Sequence, residues 1–379
     1  MSTASADHQH PRRIVVKVGT TLLTDASGGV NAGRIGEYAE SISRLFDSGI
    51  HVALVSSGAI GAGLAALGLR ERPRSIPEKQ ATAAVGQPLL MAAYEHAFRA
   101  RGHAVGQVLL TRDDFAVRSR YLNARRTFSA LFSHGVVPVI NENDTVAIDE
   151  IRLGDNDNLS AFVAQLLGAE LLVLLSDVDG LYSDDPSTHD DATLIPIVEK
   201  VTPAIEKLGR QSGSDKGTGG MVTKLQAART CSSAGIAMVV ANGARAHVLE
   251  EIVSGTFRGT LFLPADSRLS VRKHWIGFVA HTRGNIVIDD GAETAILHRH
   301  SSLLPGGIVG VAGNFQRGDT VSLRNSKGHE IARGIVSLSS QELNRVKGMN
   351  SATMRANLGG GVPVEIIHKD NLAILETGS

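Results

Sequence analysis

Asn141-Glu142-Asn143-Asp144 is the first of two polar runs in this sequence, and the second is Gly154-Asp155-Asn156-Asp157-Asn158-Leu159-Ser160-Ala161. The first run follows residues 136–140, an apolar and mostly β-branched segment that predicts a buried strand. The second run opens a segment whose apolar residues have the spacing of one buried helix face. Ligands of open α/β sheets bind outside the carboxyl ends of the strands, so the two runs predict a binding site. Helix capping is an equal alternative for Asp155 alone.

Strands and helices alternate around these two runs. The predicted strands are residues 14–18, 52–55, 104–110, 136–140, 171–175 and 236–241. The predicted helices are residues 31–48, 80–101, 123–133, 224–234 and 246–253, together with the one that the second polar run opens. This alternation predicts an α/β fold with a mostly parallel sheet covered on both faces.

The pattern changes after residue 263. Short apolar runs at 286–288, 308–311, 320–323, 331–336 and 364–367 are separated by turn signals such as Asp290-Gly291. They predict a small β-rich barrel or sandwich, with one helix at 339–346. We therefore expect domains at 12–264 and 283–370, a linker at 265–282, and tails at 1–11 and 371–379.

Composition narrows the function classes. The 379 residues are 42% hydrophobic and 20% charged, and their formal net charge is zero, which does not favour nucleic acid or acidic lipid as a partner. The single cysteine, Cys231, excludes an intrachain disulfide framework and fits a reducing compartment. Because there is neither a secretory signal nor a run of about 18 apolar residues, we expect a cytoplasmic protein without a membrane span.

Lys17 lies inside the first predicted strand. A lysine in a buried strand must pair or face a ligand, because an unpaired buried charge is costly; the alternative is an edge-strand lysine that reaches water. The Gly-rich turn after the second strand, which contains Ser57 and Gly58, can aim backbone N–H groups at an anion. Its glycine spacing is not the dinucleotide fingerprint, so the turn alone is a weak signal.

A second Gly-rich segment contains Thr218, Gly219, Gly220 and Met221. Lys224 follows about one turn into a predicted helix, and helical side chains tilt toward the N-terminus, so its ammonium can reach a phosphate held there. The segment is not a P-loop, because no Gly-Lys-Ser/Thr occurs; a solvated linker loop is the alternative.

Ser176 and Asp177 follow the strand at 171–175. An acidic loop at this end of a strand suits a nucleotide's ribose or a magnesium ion. Asp-Gly and Asp-Pro pairs further along the same loop are common turn formers.

Two other site types are excluded by spacing. Asp155 and Asp157 begin like an EF-hand, but Leu159 and Ser160 occupy places where that loop needs a ligand and a glycine. No Gly-x-Ser-x-Gly elbow supports a hydrolase triad. Two lysines, two Gly-rich anion turns and a carboxylate/carboxamide cluster instead predict phosphoryl transfer from a nucleotide, which depends on positioning and charge neutralisation.

These motifs together resemble the glutamate 5-kinase family, which belongs to the amino-acid kinase superfamily and carries a C-terminal PUA domain. The motifs are Val15-Val16-Lys17-Val18-Gly19-Thr20, Val55-Ser56-Ser57-Gly58-Ala59-Ile60, Pro138-Val139-Ile140-Asn141-Glu142-Asn143-Asp144, Gly154-Asp155-Asn156-Asp157-Asn158-Leu159-Ser160, Gly217-Thr218-Gly219-Gly220-Met221-Val222-Thr223-Lys224-Leu225-Gln226-Ala227-Ala228 and Ser301-Ser302-Leu303-Leu304-Pro305-Gly306-Gly307-Ile308. The resemblance runs from about residue 12 to residue 370. It implies a three-layer αβα sandwich with a mostly parallel central sheet, plus a small PUA-like barrel.

The resemblance also implies a reaction, in which the γ-phosphoryl group of ATP moves to the side-chain carboxylate of L-glutamate, giving glutamyl 5-phosphate for proline synthesis. A carboxylate is already anionic at neutral pH, so no general base is needed. ATP and Mg²⁺ are the implied cofactors, and no metal-ligating residues are assigned. The implied glutamate-binding residues are Ser57, Gly58, Asn141, Asp144 and Asn156. The implied catalytic residues are Lys17, Lys224 and Asp157, and the implied ATP-binding residues are Lys17, Ser176, Asp177, Thr218, Gly219, Gly220, Met221 and Lys224.

Partners follow from the resemblance as well. It implies proline as a feedback inhibitor and a homo-oligomer, a dimer or a tetramer. RNA binding by the PUA-like domain is disfavoured, because its arginines are interleaved with acidic residues and form no basic stripe. Two alternatives stay open: a sibling kinase acting on another carboxylate or a carbamate, and an RNA-binding protein that uses the C-terminal domain.

Overall fold

The computed structural model describes residues 11–25, 28–69, 71, 73–147, 156–189, 191–211, 220–265, 273, 276, 282–358 and 363–375. The chain divides into two compact units, residues 1–268 and residues 269–379.

The first unit is built on one large sheet. Its described strands are β1 (Arg13–Val18), β2 (His51–Ser56), β3 (Ala104–Leu110), β4 (Val136–Glu142), β5 (Leu171–Ser176), β6 (Ile197–Val198), β7 (Ala237–Asn242) and β8 (Gly259–Phe262). They lie in the order β3-β4-β2-β1-β5-β7-β8-β6. Neighbouring strands run parallel except β7 and β8, which are antiparallel. The prediction of a mostly parallel sheet is confirmed, although β6 and β8 were not predicted.

Helices cover both faces of this sheet. The described helices are α1 (Thr20–Leu23), α2 (Ala32–Asp47), α3 (Ala59–Ala66), α4 (Ile76–Arg99), α5 (Arg112–Ala116), α6 (Arg118–Ser133), α7 (Asn156–Leu167), α8 (Pro203–Gln211), α9 (Met221–Ser233) and α10 (Val248–Ser254). Helices α2, α4 and α10 share one hydrophobic core with the sheet, and α6, α7 and α9 pack on the other face. The predicted three-layer αβα sandwich is confirmed.

The central strand β1 shows how the sequence assigns its two faces. Ile14, Val16 and Val18 are buried in the core shared with α2 and α4. Side chains alternate along a strand, so Lys17 projects from the opposite face, where its ammonium contacts a residue of α7. The strand therefore delivers one charged group to the α7 side of an otherwise apolar layer.

Helices α3 and α4 cross at an unusually close contact made by two glycines. A Cβ atom added to Gly86 would lie 1.8 Å from the carbonyl oxygen of Ala59, and one added to Gly63 would lie 1.9 Å from that of Thr82. No side chain fits these positions without displacing backbone. The contact fixes the position of α3, which begins directly after Gly58, and therefore of the turn that contains Ser57.

The second unit is built on a five-stranded sheet. Its described strands are β9 (Thr282–Ile288), β10 (Ile308–Gly313), β11 (Thr320–Arg324), β12 (Glu330–Ile335) and β13 (Leu372–Ile374), and its helices are α11 (Asp290–Arg299), α12 (Ser340–Val346) and α13 (Ser351–Leu358). The strands lie in the order β10-β9-β11-β12-β13, with β9 and β11 parallel and the other neighbours antiparallel. The predicted small β-rich domain is confirmed, as is its helix at 339–346.

Two predictions for this unit were wrong. Residues 364–367 form no strand beyond a single bridge between Ile367 and Leu303, because Ile366 and Ile367 fill the core and make only isolated backbone hydrogen bonds. The last strand is instead Leu372–Ile374, in residues predicted to be a tail. Asp290-Gly291 does not make a turn but starts α11, whose N-cap Asp289 accepts a hydrogen bond from the Ala292 backbone. Most of the predicted linker 265–282 lies outside the described residues, so its boundaries stay a prediction.

The glycine crossing generates a stability prediction. Gly86→Ala should lower the free energy of unfolding by about 1–3 kcal/mol or more, since its methyl group overlaps backbone atoms of α3. The matched control is Gly36→Ala in α2, where a Cβ meets nothing within 4 Å. Gly36→Ala should raise the free energy of unfolding by about 0.5–1 kcal/mol, because alanine is favoured over glycine in a helix by about this amount. Urea denaturation of both variants measures the difference, and equal effects of the two substitutions would contradict the close crossing.

Candidate active site

Three charged side chains meet where β1 ends and where α7 and α9 begin. The carboxylate of Asp157, in the first turn of α7, lies 2.5 Å from the Lys17 ammonium through Oδ1 and 3.2 Å from the Lys224 ammonium through Oδ2. Asp157 is fully buried, and both lysines are nearly so. The structure therefore brings together the three residues that were predicted to be catalytic.

The environment keeps Asp157 ionised. Burial alone raises the pKa of its carboxyl, but the ammonium groups of Lys17 and Lys224, together with hydrogen bonds from Lys17 and Thr223, outweigh burial. The pKa of Asp157 is therefore held below its ordinary value. The two lysines and the aspartate carry one net positive charge among them, which suits an anionic ligand.

Thr223 belongs to this cluster and was not predicted. Its hydroxyl lies 2.9 Å from Oδ2 of Asp157 and 2.7 Å from the backbone oxygen of Gly220. Thr223 directly precedes Lys224 in the Gly-rich motif, and this position was the one sequence feature that could have indicated a role in the site. A threonine at a helix start is usually interpreted as a residue that hydrogen-bonds to its own helix. The sequence therefore gives no sign that Thr223 of α9 also contacts Asp157 of α7.

A second group of side chains is made of amides and a hydroxyl. The amide nitrogen Nδ2 of Asn156 lies 2.9 Å from the Ser57 hydroxyl, 2.9 Å from the Ser56 carbonyl and 3.0 Å from Oδ1 of Asn141. Gly58, with φ of 99°, is the N-cap of α3 and has the left-handed conformation that glycine adopts at little cost. Asn156 precedes Asp157 directly, so the polar group and the charged cluster are adjacent.

Asp144 lies in a turn that follows β4. The turn is closed by a hydrogen bond from the Val146 backbone N–H to the Asn143 carbonyl, at 3.2 Å. The Asn143 N–H also donates to the carbonyl of Leu110 at the end of β3. Asp144 itself is half-buried, and the turn places it at the same edge of the sheet as Asn141.

The predicted nucleotide-binding residues lie at two further element ends. Ser176 ends β5, and its hydroxyl donates to the exposed carboxylate of Asp177 at 3.0 Å. Gly220 and Met221 stand at the start of α9, one turn before Lys224. Thr218 and Gly219 lie outside the described residues, so their predicted role is not tested.

The described residues contain no group of three or more His, Cys, Asp or Glu side chains that could hold a metal ion. Among the helices described, none is long and apolar enough to cross a membrane.

Comparison with known proteins assigns the family. The amino acid kinase family matches residues 12–242. This chain belongs to that family. The PUA domain family matches residues 284–358, so the predicted combination of an amino-acid kinase domain with a C-terminal PUA domain is confirmed. Membership implies a phosphotransferase that uses ATP, as predicted.

Curated relatives match over nearly the full length. A protein named Glutamate 5-kinase from Geobacter sulfurreducens is 49% identical, covering 96% of this chain and 98% of its own. A protein of the same name from Moorella thermoacetica is 48% identical, covering 96% of each chain. A solved UMP kinase from Bacillus anthracis covers 69% of this chain and 99% of its own, with a TM-score of 0.47 and 17% identity.

The lowered pKa of Asp157 predicts how stability depends on pH. Above about pH 4, the ordinary pKa of an aspartate, the carboxylate is ionised in the folded and unfolded states and its full contribution is present. As the pH falls below about 4, Asp157 takes up a proton in the unfolded chain before it does so in the folded protein, where its pKa is lower. The contribution of its carboxylate to the free energy of unfolding is then progressively lost. Asp157→Asn should therefore lower the free energy of unfolding by about 3–5 kcal/mol near pH 7. The difference in this free energy between the variant and wild type should become smaller below about pH 4.

Urea denaturation of wild type and Asp157→Asn between about pH 7 and pH 3 measures this difference. The matched control is Asp191→Asn, which removes an exposed carboxylate and should change the free energy of unfolding by less than about 0.5 kcal/mol. A difference between wild type and Asp157→Asn that stays constant across the pH range would show that the ion pairs do not lower this pKa.

Proposed function

We propose that this protein transfers the γ-phosphoryl group of ATP to the side-chain carboxylate of L-glutamate, giving L-glutamyl 5-phosphate, the first step of proline biosynthesis. One observation carries the proposal: Asn156 and Asp157 are consecutive, so an amide-lined group and a two-lysine cluster lie side by side. The first is suited to an amino acid, and the second to the phosphoryl group that it receives. The name shared by the full-length relatives supports the same reaction.

We assign the amino-acid side to Ser57, Gly58, Asn141, Asp144 and Asn156. The carboxylate of Asp144 suits the α-ammonium of glutamate by charge. The Ser57 hydroxyl and the Asn156 amide already hydrogen-bond to each other, so they are pre-organised to meet the polar groups of the amino acid. The backbone N–H groups at the start of α3 favour one of its carboxylates.

The transfer requires two anions to approach each other. The γ-carboxylate of glutamate is ionised near neutral pH and attacks the γ-phosphorus of ATP directly, while the bond from that phosphorus to the bridging oxygen breaks and ADP leaves, so no residue has to remove a proton. Lys17 and Lys224 reduce the repulsion and stabilise charge that develops on the phosphoryl oxygens. Asp157 holds both ammonium groups in place and acts as a positioning residue.

The nucleotide side is assigned to Ser176, Asp177 and the start of α9, with Gly220, Met221 and Lys224. Thr218 and Gly219 complete this assignment from the motif. Mg²⁺ binds mainly through phosphate oxygens and water and needs few protein ligands. When bound, it would neutralise part of the charge on the phosphates, and we assign it no residue of this chain.

Three properties stay predictions that rest on the family resemblance. They are feedback inhibition by proline, a homo-oligomeric state of two or four chains, and a cytoplasmic location. Activity with and without proline tests the first, and light scattering after gel filtration tests the second.

The proposed reaction is tested by ADP release with a panel of acceptors: L-glutamate, L-aspartate, N-acetyl-L-glutamate and carbamate. We expect turnover with glutamate, and kcat/KM for aspartate lower by about 10–200-fold, since a missing methylene is worth about that factor. N-acetylglutamate lacks the ammonium that Asp144 is assigned to bind, so it should react still more slowly. A different acceptor with a kcat/KM equal to or above that of glutamate would overturn the proposal.

A further inference from the structure

Helix α4 carries three polar side chains that hydrogen-bond to the segments around the amide group. Gln80 donates to the carbonyl of Ala147, 3.1 Å away, in the turn that follows Asp144. Gln87 accepts from Nδ2 of Asn141 at 2.8 Å. The hydroxyl of Tyr94 lies 2.9 Å from that of Ser56, next to Ser57. The three side chains are seven residues apart, so they form one stripe along the helix.

Gln87 lies at the centre of this stripe, and together with the Glu142 backbone N–H it holds the Asn141 amide in one orientation. Oδ1 of Asn141 accepts from the Glu142 backbone N–H at 2.9 Å and from Nδ2 of Asn156 at 3.0 Å. Its Nδ2 donates to Oε1 of Gln87. If the Asn141 amide turned over, its donor would face the donors of Glu142 and Asn156, and its acceptor would face Gln87.

The Asn141 amide in turn helps to hold the amide of Asn156. Because both Asn141 and the Ser56 carbonyl present an oxygen, Asn156 must present its nitrogen, and that nitrogen also reaches the Ser57 hydroxyl. Every contact that the structure records for the Asn156 side chain, within the described residues, is made by Nδ2. Its Oδ1 is therefore left to accept from a donor outside this network, such as an ammonium group.

We propose that Gln87 is a positioning residue for the acceptor substrate: through Asn141 it helps to hold the Asn156 amide so that Oδ1 receives the ammonium of the amino acid. This inference rests on the proposed function, because it assigns a role within the same acceptor site. It adds a residue of α4, outside the motifs at the strand ends, to the groups that determine affinity for the amino acid.

Burial explains why water does not replace Gln87. Asn141 is only 3% exposed, so the loss of its acceptor leaves a buried N–H without a partner. Gln87 follows Gly86, whose close contact with Ala59 holds this turn of α4 against α3. The side chain therefore projects toward Asn141 from a turn of α4 that packs closely against α3.

The test measures glutamate and ATP dependence of ADP release for Gln87→Leu and Gln87→Glu. Leucine has no acceptor, so the KM for glutamate should rise about tenfold, the size of one lost buried hydrogen bond, while the KM for ATP changes less than about twofold. The carboxylate in Gln87→Glu still accepts from Nδ2 of Asn141, so this variant should keep most of the wild-type affinity for the substrate glutamate. Gln107→Leu makes the same chemical change at an exposed position on β3 and should leave both KM values unchanged.

Gln87→Lys provides a second comparison if the leucine variant does not fold. Lysine only donates, so it should raise the KM for glutamate at least as much as leucine does, in contrast to Gln87→Glu. A glutamate KM that is unchanged in the leucine or lysine variant, or that rises together with the ATP KM, would overturn the inference. Equal changes of this KM in Gln87→Glu and Gln87→Lys would overturn it as well. If wild type releases no ADP in response to glutamate, the proposed function itself fails, and this outcome is distinct from the others.

Discussion

The contact of one buried carboxylate with two buried ammonium groups is the constraint on which the first unit depends. Asp157 lies at the start of α7, Lys17 near the end of β1 and Lys224 in the first turn of α9, so a single residue fixes three elements relative to one another. Each charge is costly to bury alone, and removal of one partner from such a group costs about 3–5 kcal/mol. The parallel sheet brings the carboxyl ends of its strands to one edge. The contact of Asp157 with the two lysines then determines how α7 and α9 are placed at that edge.

The amide group depends on a different kind of constraint, which is contact between backbones. Gly63 and Gly86 allow α3 and α4 to approach until their main chains touch, and this closeness places the polar stripe of α4 against the ends of β2 and β4. The charged cluster and the amide group therefore have separate supports. They meet at Asn156 and Asp157, two consecutive residues at the start of one helix.

The sequence predicts the first unit well, because its apolar runs are long and its strands are buried on both faces. Lys17 could be identified from residue chemistry alone, since a charge in a buried strand needs a partner, but that chemistry did not identify Asp157 as the partner. Thr223 and Gln87 were missed because each makes its decisive contact with an element distant in sequence, and neither breaks the local pattern. In the second unit the strands are short, so the apolar run at 364–367 could not be distinguished from a core-filling segment, nor could the Asp290-Gly291 pair be distinguished from a turn.

The central claim is that the lysines held by Asp157 stabilise the transferring phosphoryl group, and steady-state kinetics of Lys224→Ala tests it most directly. We expect kcat to fall by about 10²–10³-fold or more, with thermal unfolding still cooperative, because the variant loses a charge that acts on the transition state. Lys207→Ala, which removes an exposed lysine of α8, should keep the wild-type kcat. A near-normal kcat for Lys224→Ala would contradict the account.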